Sequence, residues 1–165
     1  MNETYVECMV KRKPSLAMKA LYGVLVTLTV LLVLWGMVAG FLFLVIAGGF
    51  AALTYFAYLN SEIEYEYLYV DRQLSVDKVL NRSRRKKVAS YDLERMEILA
   101  PIASYQLDSY KNRTAQVVDY SSHEKKEPDP RFALYYDGKT QIVFEPSPEM
   151  VKAIAMVAPR KVFKD

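Results

Sequence analysis

Forty consecutive residues, Ala20 to Leu59, contain no Asp, Glu, Lys, Arg or His. No core helix of a soluble globule needs so long an uncharged stretch. The run leaves Asn60–Asp165, 106 residues, for the water-facing part, enough for one small domain. It is not a cleaved signal peptide. A basic segment precedes it (Lys11, Arg12, Lys13, Lys19), but the apolar stretch continues far beyond a signal core of roughly 7–15 residues, and no polar break follows a small-residue cleavage site.

One straight helix of that length would reach about 60 Å, twice the roughly 30 Å of a hydrocarbon core. Two spans over about 18–36 and 40–59 fit instead, with a tight reversal in Trp35-Gly36-Met37-Val38-Ala39-Gly40. Trp35 suits the interface and the glycines permit the turn, which makes the GxxxG spacing of Gly36 and Gly40 incidental. Gly48/Ala52 and Ala47/Ala51 offer small faces on the second span. Basic residues flank both spans and none lies in the turn, so the expectation is a two-span protein of the cell membrane with both termini cytoplasmic. No ionisable side chain lies inside the spans, which excludes a proton relay or charged-substrate route through them.

The water-facing part reads mostly as strands. Glu62–Val70 alternates Ile63, Tyr65, Tyr67 and Tyr69 with Glu62, Glu64, Glu66 and Leu68, a period-2 strand with an aromatic face. Asp71-Arg72-Gln73 connects it to a second strand, Gln73–Leu80, as a hairpin. The basic stretch Arg82-Ser83-Arg84-Arg85-Lys86-Lys87 follows as a loop. Further strands are expected at Val88–Tyr91, Leu93–Ile102, Ala115–Tyr120, Arg131–Tyr136 and Gln141–Phe144, the last two joined by Asp137-Gly138, a strong hairpin signal. Residues 123–130, with two prolines, form a loop. Ser147-Pro148-Glu149 is an N-cap, a proline at the first helical position and a first-turn acid, so a helix spans about 148–158 and ends at Pro159. Met150, Val151, Ile154 and Val157 form its apolar stripe. Meander order implies an antiparallel barrel or bent sheet closed by that helix. Glu3–Val10, within the N-terminal segment 1–17, is a further strand expected to add to a sheet edge.

The order of these elements resembles the pleckstrin-homology-like (PH-like) fold. YEYLYVDRQLSVDKVLNRSRRKKVASYDLERMEIL is similar to the opening of bacterial PH-like domains that follow a two-helix anchor. With MNETYVECMVKRKPS at the start and FEPSPEMVKAIAMVAPRKVF at the end, the whole chain resembles an uncharacterised family of small bacterial two-helix membrane proteins. The resemblance implies an α+β membrane protein: a transmembrane hairpin over 18–59, then a cytoplasmic PH-like domain over 60–165. It implies no activity.

Few residues point to chemistry. One cysteine, Cys8, excludes an internal disulfide, and one histidine, His123, excludes a two-histidine metal motif. No nucleophile elbow, P-loop or zinc-protease motif occurs, so no catalytic, metal or cofactor residue is assigned and no enzyme is expected. Glu62, Glu64 and Glu66 read as a solvated row, Cys8 as a packed strand residue and Tyr65, Tyr67 and Tyr69 as core. The basic run is the sharpest feature. Arg82, Arg84, Arg85, Lys86 and Lys87 suit anionic phosphate headgroups, although a plain solvated loop guarding a sheet edge is the favoured reading of them. Nucleic acid is not expected, because aromatics do not interleave with the charge. The leading expectation is a membrane-anchored scaffolding module that binds a protein or peptide, or a second copy, at a sheet edge or beside the C-terminal helix. Anionic-lipid sensing through Arg82–Lys87 is the alternative, and an auxiliary subunit of a transporter or enzyme complex a further one.

Overall fold

The computed structural model describes residues 5–164. Of the expected N-terminal strand, Glu3 and Thr4 lie outside these residues. The elements run β1 (Val6–Lys11), α1 (Leu16–Ala39), α2 (Phe41–Ser61), β2 (Ile63–Val70), β3 (Gln73–Leu80), β4 (Arg84–Asp92), β5 (Met96–Pro101), α3 (Asp108–Lys111), β6 (Gln116–Asp119), β7 (Phe132–Tyr136), β8 (Thr140–Phe144) and α4 (Pro148–Val157). The chain divides into two units, a helical hairpin with the Leu80–Arg84 turn, and the sheets with α4.

In the first unit, α1 and α2 are long and apolar enough to cross a membrane, with mean hydropathies of 2.3 and 2.0. At about 1.5 Å per residue their 24 and 21 residues reach about 36 and 32 Å. The reversal takes a single residue. Gly40 has φ +116°, a conformation that side chains rarely adopt, and its N–H bonds to Gly36 O at 3.1 Å. Gly36 therefore lies inside α1, not in the turn expected for it. A Cβ there would meet Leu44 Cδ2 at 2.8 Å, so Gly36 is what lets the helices approach. Of the small faces expected on α2, Ala47 is buried, whereas Gly48, Ala51 and Ala52 are exposed. Tyr22 against Tyr58 and Thr29 Oγ1 against Thr54 Oγ1 (3.1 Å) fix the antiparallel register further along. Most large apolar side chains of both helices point outward, up to Val38 at 91% exposed.

The second unit is two four-stranded sheets, ordered β1-β2-β3-β4 and β5-β7-β8-β6. β1 pairs antiparallel with β2, with Cys8 opposite Tyr67, so the N-terminal segment does extend the sheet. Two tight turns in this unit carry positive φ at both central residues, the type I′ signature: Asp71-Arg72 and Asp137-Gly138. The second sheet departs from the expected meander. β6 pairs with β8 and runs parallel to it, while β5 pairs with β7. The segment with α3 carries the chain past β7 and β8 to the far edge. Leu93–Arg95, expected in a strand, is instead a short 3-10 turn capped by Asp92. The two sheets meet through aromatics: Tyr67 stacks edge-on against Phe144, and its hydroxyl donates to Tyr120 O at 2.6 Å. Tyr65, Tyr67 and Tyr69 are all buried, as period 2 requires. α4 starts as read. Ser147 Oγ accepts from Met150 N at 3.2 Å, and Met150, Val151, Ala153 and Ile154 are buried.

Candidate basic site

The basic run is not a loop. Only Asn81-Arg82 turns, with φ +43° and +53°, and Ser83 N closes on Leu80 O at 3.0 Å. Arg84, Arg85, Lys86 and Lys87 begin β4, an edge strand. The sequence hid this because four cations in a row read as solvated coil, whereas a sheet edge tolerates them.

Within the helical unit, Asn81 N donates to Glu62 O at 2.8 Å. Glu62 follows directly on Ser61, the last residue of α2, so the β3–β4 turn is tied to that helix end. The antiparallel register set by Gly36–Leu44 and Tyr22–Tyr58 brings Lys19 level with Ser61. Lys13, Lys19, Arg82 and Arg84 thus gather at one end of the hairpin. From the sequence, Lys13 and Lys19 serve only to orient the spans. That they share an end of the hairpin with the turn depends on helix register, which no local pattern reveals.

Within the sheet unit, Arg85 is committed to ion pairing although its side chain is more than half exposed. Its guanidinium pairs with Glu66 and lies 4.0 Å from Asp77. Among the described residues, Arg84, Lys86 and Lys87 have no ion-pair partner. Glu64 and Glu66 are buried, which corrects the expectation of a solvated acidic row. The face is covered from both sides, by β1 and by Arg85. The Glu7 and Glu66 carboxyls are neighbours, and a hydrogen bond between them needs one of the two protonated. Burial, then that bond, raises the Glu66 carboxyl above its usual range, while the bond lowers Glu7. Lys78 is lowered by burial and by the nearby cations Arg12 and Lys86.

The remaining candidates are structural. Cys8 Sγ donates to Glu145 O at 3.8 Å, and burial raises its thiol. Buried Glu145 Oε1 takes bonds from Ser122 N (2.7 Å) and Oγ (2.6 Å), which clamps the segment after β6 onto β8. His123 faces Asp119 at 3.4 Å on an exposed turn. Among the described residues, no group of three or more His, Cys, Asp or Glu is placed to hold a metal ion.

No curated protein and no solved structure matches the chain. A family model does, over residues 2–164, nearly the whole chain, and it agrees with the two sheets closed by one C-terminal helix. The chain belongs to the bacterial PH-like domain family DUF6106.

Proposed function

We propose that this chain is a non-catalytic interaction module anchored in the cytoplasmic membrane by two spans, with both termini cytoplasmic and its basic hairpin docked on the anionic leaflet. The observation that supports it most is the Asn81–Glu62 hydrogen bond, which ties the basic turn to the residue that follows α2. If α2 spans the bilayer, that turn emerges at headgroup level. Each Lys or Arg near an anionic leaflet contributes about 1 kcal/mol, so Lys13, Lys19, Arg82 and Arg84 together act as a firm electrostatic contact. Lys86 and Lys87 continue along the same strand. The uncharged run Ala20–Leu59 and the exposed cations at one end of the hairpin favour attraction over chemistry.

The test places a nitroxide at Ser83, in a Cys8→Ser background, on the full chain in nanodiscs. Phosphatidylglycerol should immobilise the label relative to pure phosphatidylcholine. Salt well above 0.1 M, where screening falls below about 10 Å, should release it, and so should Arg82→Ala with Arg84→Ala. Identical spectra in both lipids at low salt would sink this reading.

A further inference from the structure

A hollow of about 380 Å³ opens beside the C-terminal end of α4. Arg72 of the β2–β3 turn, Leu93 and Glu94 of the 3-10 turn, and Val157 to Lys161 line it. Its floor is apolar: Leu93 is buried, and Val157, Ala158 and Pro159 form the wall. Val157 and Met156 stand 44% and 79% exposed, which breaks the rule that the apolar stripe of an amphipathic helix turns inward.

The polar rim is uneven. Arg72 Nη1 already neutralises Glu94 at 2.9 Å. Lys161 Nζ is spent on the carbonyls of Glu94 (3.2 Å) and Met96 (2.6 Å), which pins the tail beside β5. Arg160 is exposed and, among the described residues, has neither a hydrogen bond nor an ion pair. The rim therefore holds three cations against one carboxylate, with one cation uncommitted. The helix end adds acceptors. Ala158 N bonds to Ile154 O and Lys161 N to Ala158 O, but among the described residues the carbonyls of Met156 and Val157 accept no hydrogen bond. Pro159 has no N–H to offer.

An apolar floor, a free guanidinium and unpaired carbonyls together describe a ligand with an apolar side chain, a carboxylate and N–H donors. A fatty acid supplies the first two and lacks the third. A peptide supplies all three. We propose that this hollow docks a segment of a partner protein in which a large apolar residue stands next to an Asp or Glu: the apolar side chain enters between Leu93 and Pro159, the carboxylate meets Arg160, and the segment's backbone N–H groups reach the end of α4. The proposal gives the interaction module its partner class and rests on that reading only for the domain being a binding module. It does not depend on the headgroup contact, and the lipid experiment neither supports nor damages it.

The test pans a displayed library of random decapeptides against the full chain in nanodiscs, with empty nanodiscs as the subtraction. The expected winners carry Leu, Ile, Met or Phe within two positions of an Asp or Glu. A synthetic copy of the best one should lose about tenfold in affinity, the scale of one charge-assisted hydrogen bond, on Arg160→Glu, and should weaken on Val157→Asp. Lys152→Glu, an exposed charge change elsewhere on α4, should leave affinity unchanged. All three positions are exposed, and thermal melts check that each variant remains folded. No enrichment over empty nanodiscs, winners without an acid, or binding indifferent to Arg160→Glu would each overturn the proposal. So would sodium decanoate occupying the hollow when no peptide does.

Discussion

The helical hairpin and the PH-like domain are both rich in apolar residues, and they use them in opposite ways. The hairpin satisfies its polar groups locally. Thr27 donates to the carbonyl four residues back, and Thr29 and Thr54 each lie within hydrogen-bond reach of theirs. Among the described residues the one side-chain hydrogen bond across the hairpin is between the Thr29 and Thr54 hydroxyls, one of which donates to the other. Its helices approach closely at Gly36, bury Ala47 and Ala57, and leave most of the large side chains outside. The domain does the reverse. Tyr67 bonds to Tyr120 O, 53 residues away, Tyr91 meets the Tyr120 hydroxyl, and the largest side chains are fully buried. If the hairpin spans a bilayer, as proposed, its helices have no water to satisfy their backbone and gain nothing by hiding leucine from lipid, so local bonds and close approach decide their packing. A small domain in water must instead enclose its apolar mass. The two regions should therefore fail through different mutations.

The largest effect is expected in the domain core. Tyr67→Ala removes a fully buried ring and a hydroxyl bond and should cost about 3–5 kcal/mol, a large share of the margin of a domain stable by roughly 5–15 kcal/mol. Tyr67→Phe removes only the bond and should cost about 1 kcal/mol. Urea unfolding read by pulse proteolysis of the domain in nanodiscs separates the two. Deleting residues 1–12 belongs in the same class, because it strips β1 and bares the β2 edge. A fragment that starts at residue 60 is for this reason not an intact domain.

How far the sequence reveals each region follows from the same contrast. Strands with strict alternation, the Asp137-Gly138 turn and the Ser147-Pro148 cap were legible, because each signal is local. The parallel β6–β8 pair was not: four residues, Gln116–Asp119, carry no information about which strand they will join. The choice between Gly36 and Gly40 was not legible either. Both are glycines, and only the approach of Leu44 assigns one to packing and the other to the turn. Burial of Glu66 escaped notice because its covers, Glu7 and Arg85, come from strands 59 and 19 residues away in the chain. At the basic site the residues were legible, and the hydrogen bond that ties their turn to α2 was not.

Gly36→Val sharpens the contrast from the hairpin's side. Its side chain would drive into Leu44 and should cost about 1–3 kcal/mol, the usual toll of overpacking. The expected result in detergent is earlier thermal loss of α1–α2 pairing, read by a spin-label pair at the Tyr22 and Tyr58 level, with the domain's unfolding unchanged. A domain that melted earlier as well would show that the two regions are not independent.

The acidic pair on β1 and β2 gives a smaller, pH-dependent effect. The Glu66 carboxyl is raised in the folded chain, so the stability it contributes is present at acid pH and is lost as pH rises through its folded value. Glu7 is lowered and works in the opposite direction at more acid pH, where its contribution is lost as it protonates. Tyr5, Asp77 and Arg85 face the pair. Glu66→Gln keeps a hydrogen-bonding partner for Glu7 and removes the ionisation. The decline in domain stability above the ordinary Glu range should flatten in this variant. A full-length titration curve unchanged by Glu66→Gln would mean the pair does not share a proton.

The smallest expected effect is the most exacting check on the comparison. A Cβ at Gly48 or Gly49 meets nothing within 4 Å, so Gly48→Ala and Gly49→Ala add a methyl group to an open helix face. If that face meets only lipid, these changes relieve the backbone freedom of glycine and should be neutral or stabilising by up to about 1 kcal/mol. Gly36→Ala, one turn from the reversal, should be destabilising, since even one methyl overlaps Leu44. The sign difference between chemically identical substitutions isolates packing from propensity. Should Gly48→Ala destabilise the protein in its own membrane while leaving it unaffected as a detergent-solubilised monomer, the bare face of α2 would be a contact with another molecule. The hairpin would then resemble the domain in hiding a surface that only its partner completes.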